Sequence, residues 1–368
     1  MASKDLGFPG SLEDPGSLED PGNLGVPGNL GVPEDAVTLA DVARVAGVSS
    51  ATASRVLTGS PHVRPDTRQR VVAAMSQLGY VRQRAPRSAE SRRTRSIAYV
   101  VCEENVKVFA DPFFARLLWG VSRELSAADL QLILLTLHSP RECQSVSRYL
   151  RSGHVDGALF VSMHGRLPFD LDSLGIPLVL CGRPATGDGG EHHAYVDADN
   201  VGGAEQAVRY LLGTGRTAVA TIAGPPDMAP GIDRLLGYRK AMASAGVSDP
   251  GMIAYGDFTG LAGEQATFRL LDHRRNLDAI FAASDLMAMG ALRALRRTGR
   301  RVPDDIAVIG FDDSPLAQHA EPSLSSVHQP LEAMAARMTR ELLALIAAPD
   351  GPPAHVILDT ELVLRDSA

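Results

Sequence analysis

Residues Val37 to Leu57 read VTLADVARVAGVSSATASRVL. Thr38 is placed to cap a helix in which Leu39, Val42, Ala43 and Ala46 recur at helical spacing. Gly47-Val48 ends that helix, and Ser49 caps a second one running from Ser50 to Leu57. Two short helices about a tight glycine turn form a helix-turn-helix, whose second helix enters the DNA major groove. The start of that second helix holds Ser49, Ser50, Ala51 and Thr52. Such small polar residues allow close approach, with hydroxyls and helix N–H groups on phosphates. Arg55, one turn later, is placed to fork onto N7 and O6 of a guanine.

A third helix follows a loop with Pro61 and Pro65, starting at Asp66 or Thr67 with Val71, Val72, Met75 and Leu78 as its apolar stripe. Gly79 ends it. Residues 36–80 therefore read as an all-α helix-turn-helix domain, and residues 81–95 as an arginine-rich linker. Before them, residues 1–35 repeat SLEDPG and NLGVPG with no amphipathic period. Such a segment cannot bury enough apolar surface to offset its ordering entropy, so it reads as a disordered tail.

The overall charge of −7 conceals an uneven layout. Between Ala36 and Arg95, eleven arginines face three acidic residues, a local net of +8. The first 35 residues carry −6 and the remainder −9. A small basic module between acidic segments points to nucleic-acid contact by one domain only.

From residue 96 to 368 the pattern alternates strand and helix. Short Val, Ile and Leu runs mark strands at Ile97–Val101, Leu132–Leu135, Ala158–Val161, Leu178–Leu180, Val219–Ile222, Ala279–Ala282 and Ile306–Ile309. Amphipathic helices are expected at Phe114–Ser126, Ala204–Leu212, Arg234–Ala245, Asp285–Thr298 and Leu331–Ala347. That length suits two doubly wound α/β lobes with a ligand cleft at the strand carboxyl ends. Asp285 and Asn200 read as helix N-caps. No apolar run reaches the length of a membrane span and no secretory signal opens the chain. Cys102, Cys143 and Cys181 make no metal-ligand pattern, as expected of free thiols in a reducing cytoplasm. Neither a cofactor nor a metal is expected. No phosphate loop, HExxH pair or GxSxG elbow appears, and Asp312-Asp313 on a strand end point opposite ways, so an enzyme is not expected.

The run TLADVARVAGVSSATASRVLTGSPHVRPDTRQRVVAAMSQLGY resembles the LacI-type family of bacterial transcription repressors, and the likeness extends from Val37 to Arg365. The resemblance implies an N-terminal helix-turn-helix and a two-lobed periplasmic-binding-protein-like body. It makes Ser50, Ala51 and Arg55 the base readers. Thr38, Ser49, Thr52, Ser54, Thr58 and His62 become phosphate or backbone contacts. Family members usually continue with a hinge helix whose leucine wedges into the minor groove. Here that position is Ala89, with far less apolar bulk, and Pro86 falls in the first turn of the expected helix. Less DNA kinking is expected, with greater reliance on Arg82, Arg84 and Arg87.

In the body, DPFF at Asp111–Phe114, GIDR at Gly231–Arg234, YGDF at Tyr255–Phe258, ASD at Ala283–Asp285 and GFDDS at Gly310–Ser314 match the family. The resemblance places Asp111, Phe113, Arg234, Phe258, Ser284 and Asp312 in the effector cleft, with Arg183 a further candidate. The chemistry suits a sugar: a guanidinium and a carboxylate each grip two hydroxyls, and an aromatic ring covers the apolar face. Family members often have Asn where Ser284 stands. The stretches CEENVKVFADPFF and TIAGPPDMAPGIDRLLGYR look like actinobacterial regulators of cellulose and oligosaccharide use. The implied function is a cytoplasmic, homodimeric repressor of sugar-utilisation genes, released from a palindromic operator by a disaccharide such as cellobiose. The alternative is a regulator that a purine-like co-repressor strengthens.

Overall fold

Gly47 sets the first turn: its φ of +63° lies in the left-handed region, where a side chain is strained. The Gly47 N–H donates to the Arg44 carbonyl at 3.3 Å and Val48 N–H to Ala43 at 2.9 Å, closing the end of helix α1 (Leu39–Ala46). Helices α2 (Ser50–Leu57) and α3 (Pro65–Leu78) complete the bundle. Its core is Val42, Ala43, Ala46, Ala53, Val56, Val71 and Ala74. Val72 is 52% exposed, so Ala74 takes the inward place that the sequence pattern gave to Val72. Helix α3 also begins earlier than expected, at Pro65, whose missing N–H costs nothing in a first turn.

The computed structural model describes residues 39–57, 63–78, 94–165, 170–185, 192–246, 252–349 and 351–368. The repeat tail and most of the arginine linker, 81–93, lie outside them. The chain divides into two units, residues 1–85 and 86–368.

The second unit holds two sheets. The first is built from β1 (Ser96–Val101), β2 (Gln131–Thr136), β3 (Gly157–Val161), β4 (Leu178–Cys181) and β5 (Ala194–Ala198). Helices α4 (Asn105–Ala110), α5 (Pro112–Ala127) and α6 (Pro140–Arg151) connect them. The chain then crosses to a second lobe of α7 (Asn200–Gly213), β6 (Val219–Ala223), α8 (Ala229–Ser244), β7 (Ile253–Tyr255) and α9 (Gly260–His273). That lobe continues with β8 (Ala279–Ala282), α10 (Asp285–Arg297), β9 (Ala307–Asp312), α11 (Pro315–Gln318) and β10 (Ser325–His328). It returns to the first lobe for α12 (Leu331–Ala347) and β11 (His355–Leu358), and crosses once more for β12 (Glu361–Val363).

The strand orders are β11-β5-β4-β3-β1-β2 and β12-β10-β9-β8-β6-β7. Every pairing is parallel except β10 with β12. Helices cover both faces, which is why β1, β3, β6 and β9 are buried throughout or nearly so rather than alternating. One face of the first sheet packs Leu117, Val121 and Leu125 of α5 with Met334, Met338 and Leu342 of α12. Each such fully buried side chain contributes about 1.5–3 kcal/mol. The strand β9 runs on to Asp312, three residues past its expected end. No described helix is long and apolar enough to cross a membrane.

Candidate functional site

On α2, Ala53 and Val56 face the core while Ser50, Ala51, Ser54 and Arg55 are exposed along one side. Thr52 is half-buried between these faces. The Thr52 N–H donates to Ser49 Oγ at 3.2 Å, and the Ser49 and Thr52 hydroxyls share a hydrogen bond of 2.9 Å. Ser49 therefore caps the helix with the oxygen that the sequence offered to DNA. Thr38, Thr58, His62, Arg82, Arg84, Arg87 and Ala89 lie outside the described residues.

The carboxyl ends of both sheets meet at a cleft of about 280 Å³. This is where doubly wound sheets bind ligands. All seven sequence candidates, Asp111, Phe113, Arg183, Arg234, Phe258, Ser284 and Asp312, line it. Asp111 accepts from the Phe113 N–H at 2.9 Å and caps α5, with Pro112 at the first helical position. This cap aims Phe113, whose ring meets Phe114 edge-on at 5.2 Å.

Arg234 projects from α8 and is 4% exposed. Its Nε donates to Asn200 Oδ1 at 2.9 Å, and Nη1 donates to the Ala283 carbonyl at 2.6 Å and Asp312 Oδ1 at 3.4 Å. The guanidinium lies 3.7 Å from the Phe311 ring and 5.8 Å from that of Phe258. Phe258 adopts φ +68°, and a Cβ on Gly224 would fall 2.4 Å from its Cζ, so only glycine leaves room for this ring. Asp312, at φ +114°, accepts a second bond on Oδ1, from Gln329 Nε2 at 2.6 Å.

Acidic groups crowd Arg234. Burial, and then the Asp312 charge, push the Asp111 carboxyl up to about 7. The same two causes hold Asp285 at about 7. Burial raises Asp312 itself against the pull of Arg234 and Gln329. Burial also lowers Arg234, yet a guanidinium stays charged in proteins. The result is a largely apolar pocket with a buried guanidinium at its centre and carboxyls poised near neutrality.

Several expectations need correction. The caps of α7 and α10 are Asp199, accepting from Gly202 N–H at 2.8 Å, and Ser284, accepting from Met287 N–H at 3.2 Å. Asn200 and Asp285 occupy the next positions and bond outside their helices. Asn200 holds Arg234, while Asp285 accepts from the Ser314 N–H at 2.6 Å and the Ser326 hydroxyl at 2.5 Å. Ser284 lines the cleft with its oxygen already committed to a helix end. Arg183 is also engaged: its guanidinium grips both oxygens of Asp233, with Nε at 3.1 Å from Oδ2. Sequence reasoning overlooked Gln329, Asp197 and Glu103, which line the same cleft. Glu103 stands inside the quoted stretch CEENVKVFADPFF, while Asp197 is near the end of β5 and Gln329 follows β10; each was within reach as a polar group at a strand end.

Residues 38–83 match the model of bacterial regulatory proteins of the lacI family, and residues 208–368 match a periplasmic binding protein-like domain. The HTH-type transcriptional regulator CelR of Thermobifida fusca is 47% identical over 333 residues, spanning 90% of this chain and 98% of that protein. The HTH-type transcriptional repressor CytR of Escherichia coli strain K12 is 33% identical, over 90% of this chain and 96% of its own length. A solved complex of CelR with cellobiose superimposes with a TM-score of 0.73 at 46% identity, covering 90% of this chain and all of that one (100%).

Proposed function

We infer the function from one premise: the chain belongs to the lacI family of bacterial regulatory proteins. It is a transcriptional repressor that binds an operator through α2 and is released by a small sugar of the disaccharide class, such as cellobiose. Its similar relatives are transcriptional regulators, and it acts as one rather than as an enzyme. It works in the cytoplasm, where its operator is, as a homodimer that sets two α2 helices on the half-sites of a palindrome.

The observation that carries this reading is the arrangement around Arg234. Arg234 Nη1 and Gln329 Nε2 both donate to Asp312 Oδ1, and the Asp285 backbone also bonds this carboxylate, which holds the acid in place at the cleft wall to meet ligand hydroxyls. Arg234 spends Nε and Nη1 on the protein, which assigns Nη2 to the ligand. Phe113 and Phe258 supply apolar surface beside these polar arms, as the C–H face of a pyranose requires. At 47% identity to CelR, and with a CelR–cellobiose complex sharing the fold, cellobiose is the first ligand to test. On α2, the exposed Ser50, Ala51 and Arg55 read bases, Ser54 meets the DNA backbone, and Ser49 and Thr52 order the helix start against that backbone. Thr38, Thr58 and His62 add backbone contacts, and Arg82, Arg84 and Arg87 hold the minor groove near Ala89.

Fluorescence anisotropy of the full chain on its own upstream DNA tests the reading. Cellobiose is expected to release the DNA where glucose and maltose do not. Binding that no sugar alters, or that a purine base strengthens, overturns it.

A further inference from the structure

Two side chains of the first lobe reach across the cleft and grip the same stretch of the second. His164, just past β3, places Nε2 2.9 Å from Glu103 of its own lobe and Nδ1 3.1 Å from Asp227 of the other. The Gly165 N–H donates to the Asp227 carbonyl at 2.8 Å, a backbone bond across the same gap. Arg183, past β4, closes on Asp233 in the way already described. Asp227 lies two residues before α8, ahead of its N-cap Met228, and Asp233 lies within it, next to Arg234. Both grips thus hold the amino-terminal stretch of the helix that carries the central cation. His164 and Asp227 do not line the cleft, so they have no place as ligand contacts.

We propose that His164 and Asp227 form a clasp that holds the two lobes shut over the bound effector, making them positioning residues that set how long the effector stays. The proposal rests on the effector reading of the cleft. Its chemistry is that of a double hydrogen bond in which a cationic imidazole bridges two carboxylates. Glu103 is the fixed anchor: burial works to raise its carboxyl, but the bond to His164 and the nearby Lys107 keep it below its ordinary range. The hydrogen bond to Glu103, with that to Asp227, raises His164 above its ordinary value. The imidazolium therefore persists where an isolated histidine would have lost its proton. Opening the lobes leaves Glu103 and His164 together and separates only Asp227. The clasp consequently acts on the opening step and not on the encounter.

Stopped-flow binding of cellobiose to the full chain, with wild type, H164A, D227A and the double variant, tests this. Removing either partner is expected to raise the off-rate about three- to tenfold, as for a partly exposed charge-assisted bond, with the on-rate unchanged. The double variant should be no worse than either single one, and D227E should recover part of the loss. Operator binding without sugar should persist at no less than the wild-type affinity, which a misfolded variant would not achieve. Hydrogen exchange of the Gly165 segment gives a readout independent of any sugar and is expected to quicken in both single variants. An unchanged off-rate in variants of a wild type that binds cellobiose overturns the clasp, as does an additive double variant. Failure of the wild type to bind any sugar while exchange still quickens overturns the sugar reading instead.

Discussion

Replacing Arg234 by methionine removes the buried cation at the centre of the cleft while keeping the length and flexibility needed to fill the slot between Phe311 and Phe258. Two buried acceptors, Asn200 Oδ1 and the Ala283 carbonyl, lose their Arg234 donors. Each such loss costs about 1–3 kcal/mol. Asp312 loses its counter-charge and, being buried, takes up a proton or remains an unpaired anion. Breaking a buried pair from one side costs about 3–5 kcal/mol, and we take that as the total because the terms overlap. For a unit of this size that is a fall of about 6–20 °C in Tm by scanning calorimetry. The second variant, D312N, removes the carboxylate that the first leaves stranded. In combination with R234M the total loss should therefore be smaller than the sum of the two single losses. A single-variant loss below about 1 kcal/mol, or strict additivity, would show that the pair is not the keystone described here.

Three further outcomes follow from the same geometry. R55A should weaken operator binding by about 1–3 kcal/mol and relax sequence preference, leaving Tm unchanged because the side chain is exposed; uniform weakening on all DNA would point to a phosphate contact instead. G224A should displace the Phe258 ring and weaken effector binding at least tenfold by calorimetric titration, since its Cβ would fall 2.4 Å from Cζ; wild-type affinity would mean that the ring is not part of the site. Asp111, held at about 7 when folded against an ordinary 3.8, binds a proton that the unfolded chain has released. Its contribution to stability is complete below the ordinary value and is lost as pH rises toward 7. The Tm of wild type relative to D111N should thus fall between pH 4 and 7 and level off above; a flat difference would refute the shift.

The helix-turn-helix could be read from sequence because its determinants are local. A glycine that must be left-handed, a serine cap and apolar residues three and four apart lie within 21 residues, Val37 to Leu57. Long buried strands such as Ile97–Val101 and Ala279–Ala282 were equally plain as apolar runs. Strands β10, β11 and β12 were not, because Ser325-Ser326 and Glu361 carry polar groups that only tertiary partners explain. Ser326 serves Asp285, and Ser325 N–H donates to Ser367 Oγ at 2.8 Å. The cleft residues were named through a resemblance; the sequence alone could not say what each holds. Arg183 and Asp233 are fifty residues apart, and Asn200 and Arg234 thirty-four, so their pairing is a property of the closed topology. The misassigned caps have a simple origin. In Asp199-Asn200 and Ser284-Asp285, both neighbours are good cap residues, and a one-residue choice decides which side chain is free to work elsewhere.

The last return of the chain to the first lobe has a bearing on how the molecule comes into being. The face of the first sheet is covered by Leu331, Met334, Ala335, Met338 and Leu342 of α12, yet its strands β1 to β5 lie between Ser96 and Ala198. More than a hundred residues, the whole parallel part of the second lobe, are made in between. On a ribosome adding about 5–20 residues per second, that apolar face waits for several seconds with only α5 to cover it. The two lobes cannot mature one after the other, because the first still lacks α12 and β11, and the second β12, when the chain is nearly finished. Slow, highly non-local folding is the expected result. Lesions in α12 should accordingly show themselves as aggregation during synthesis before they show themselves as weakened regulation.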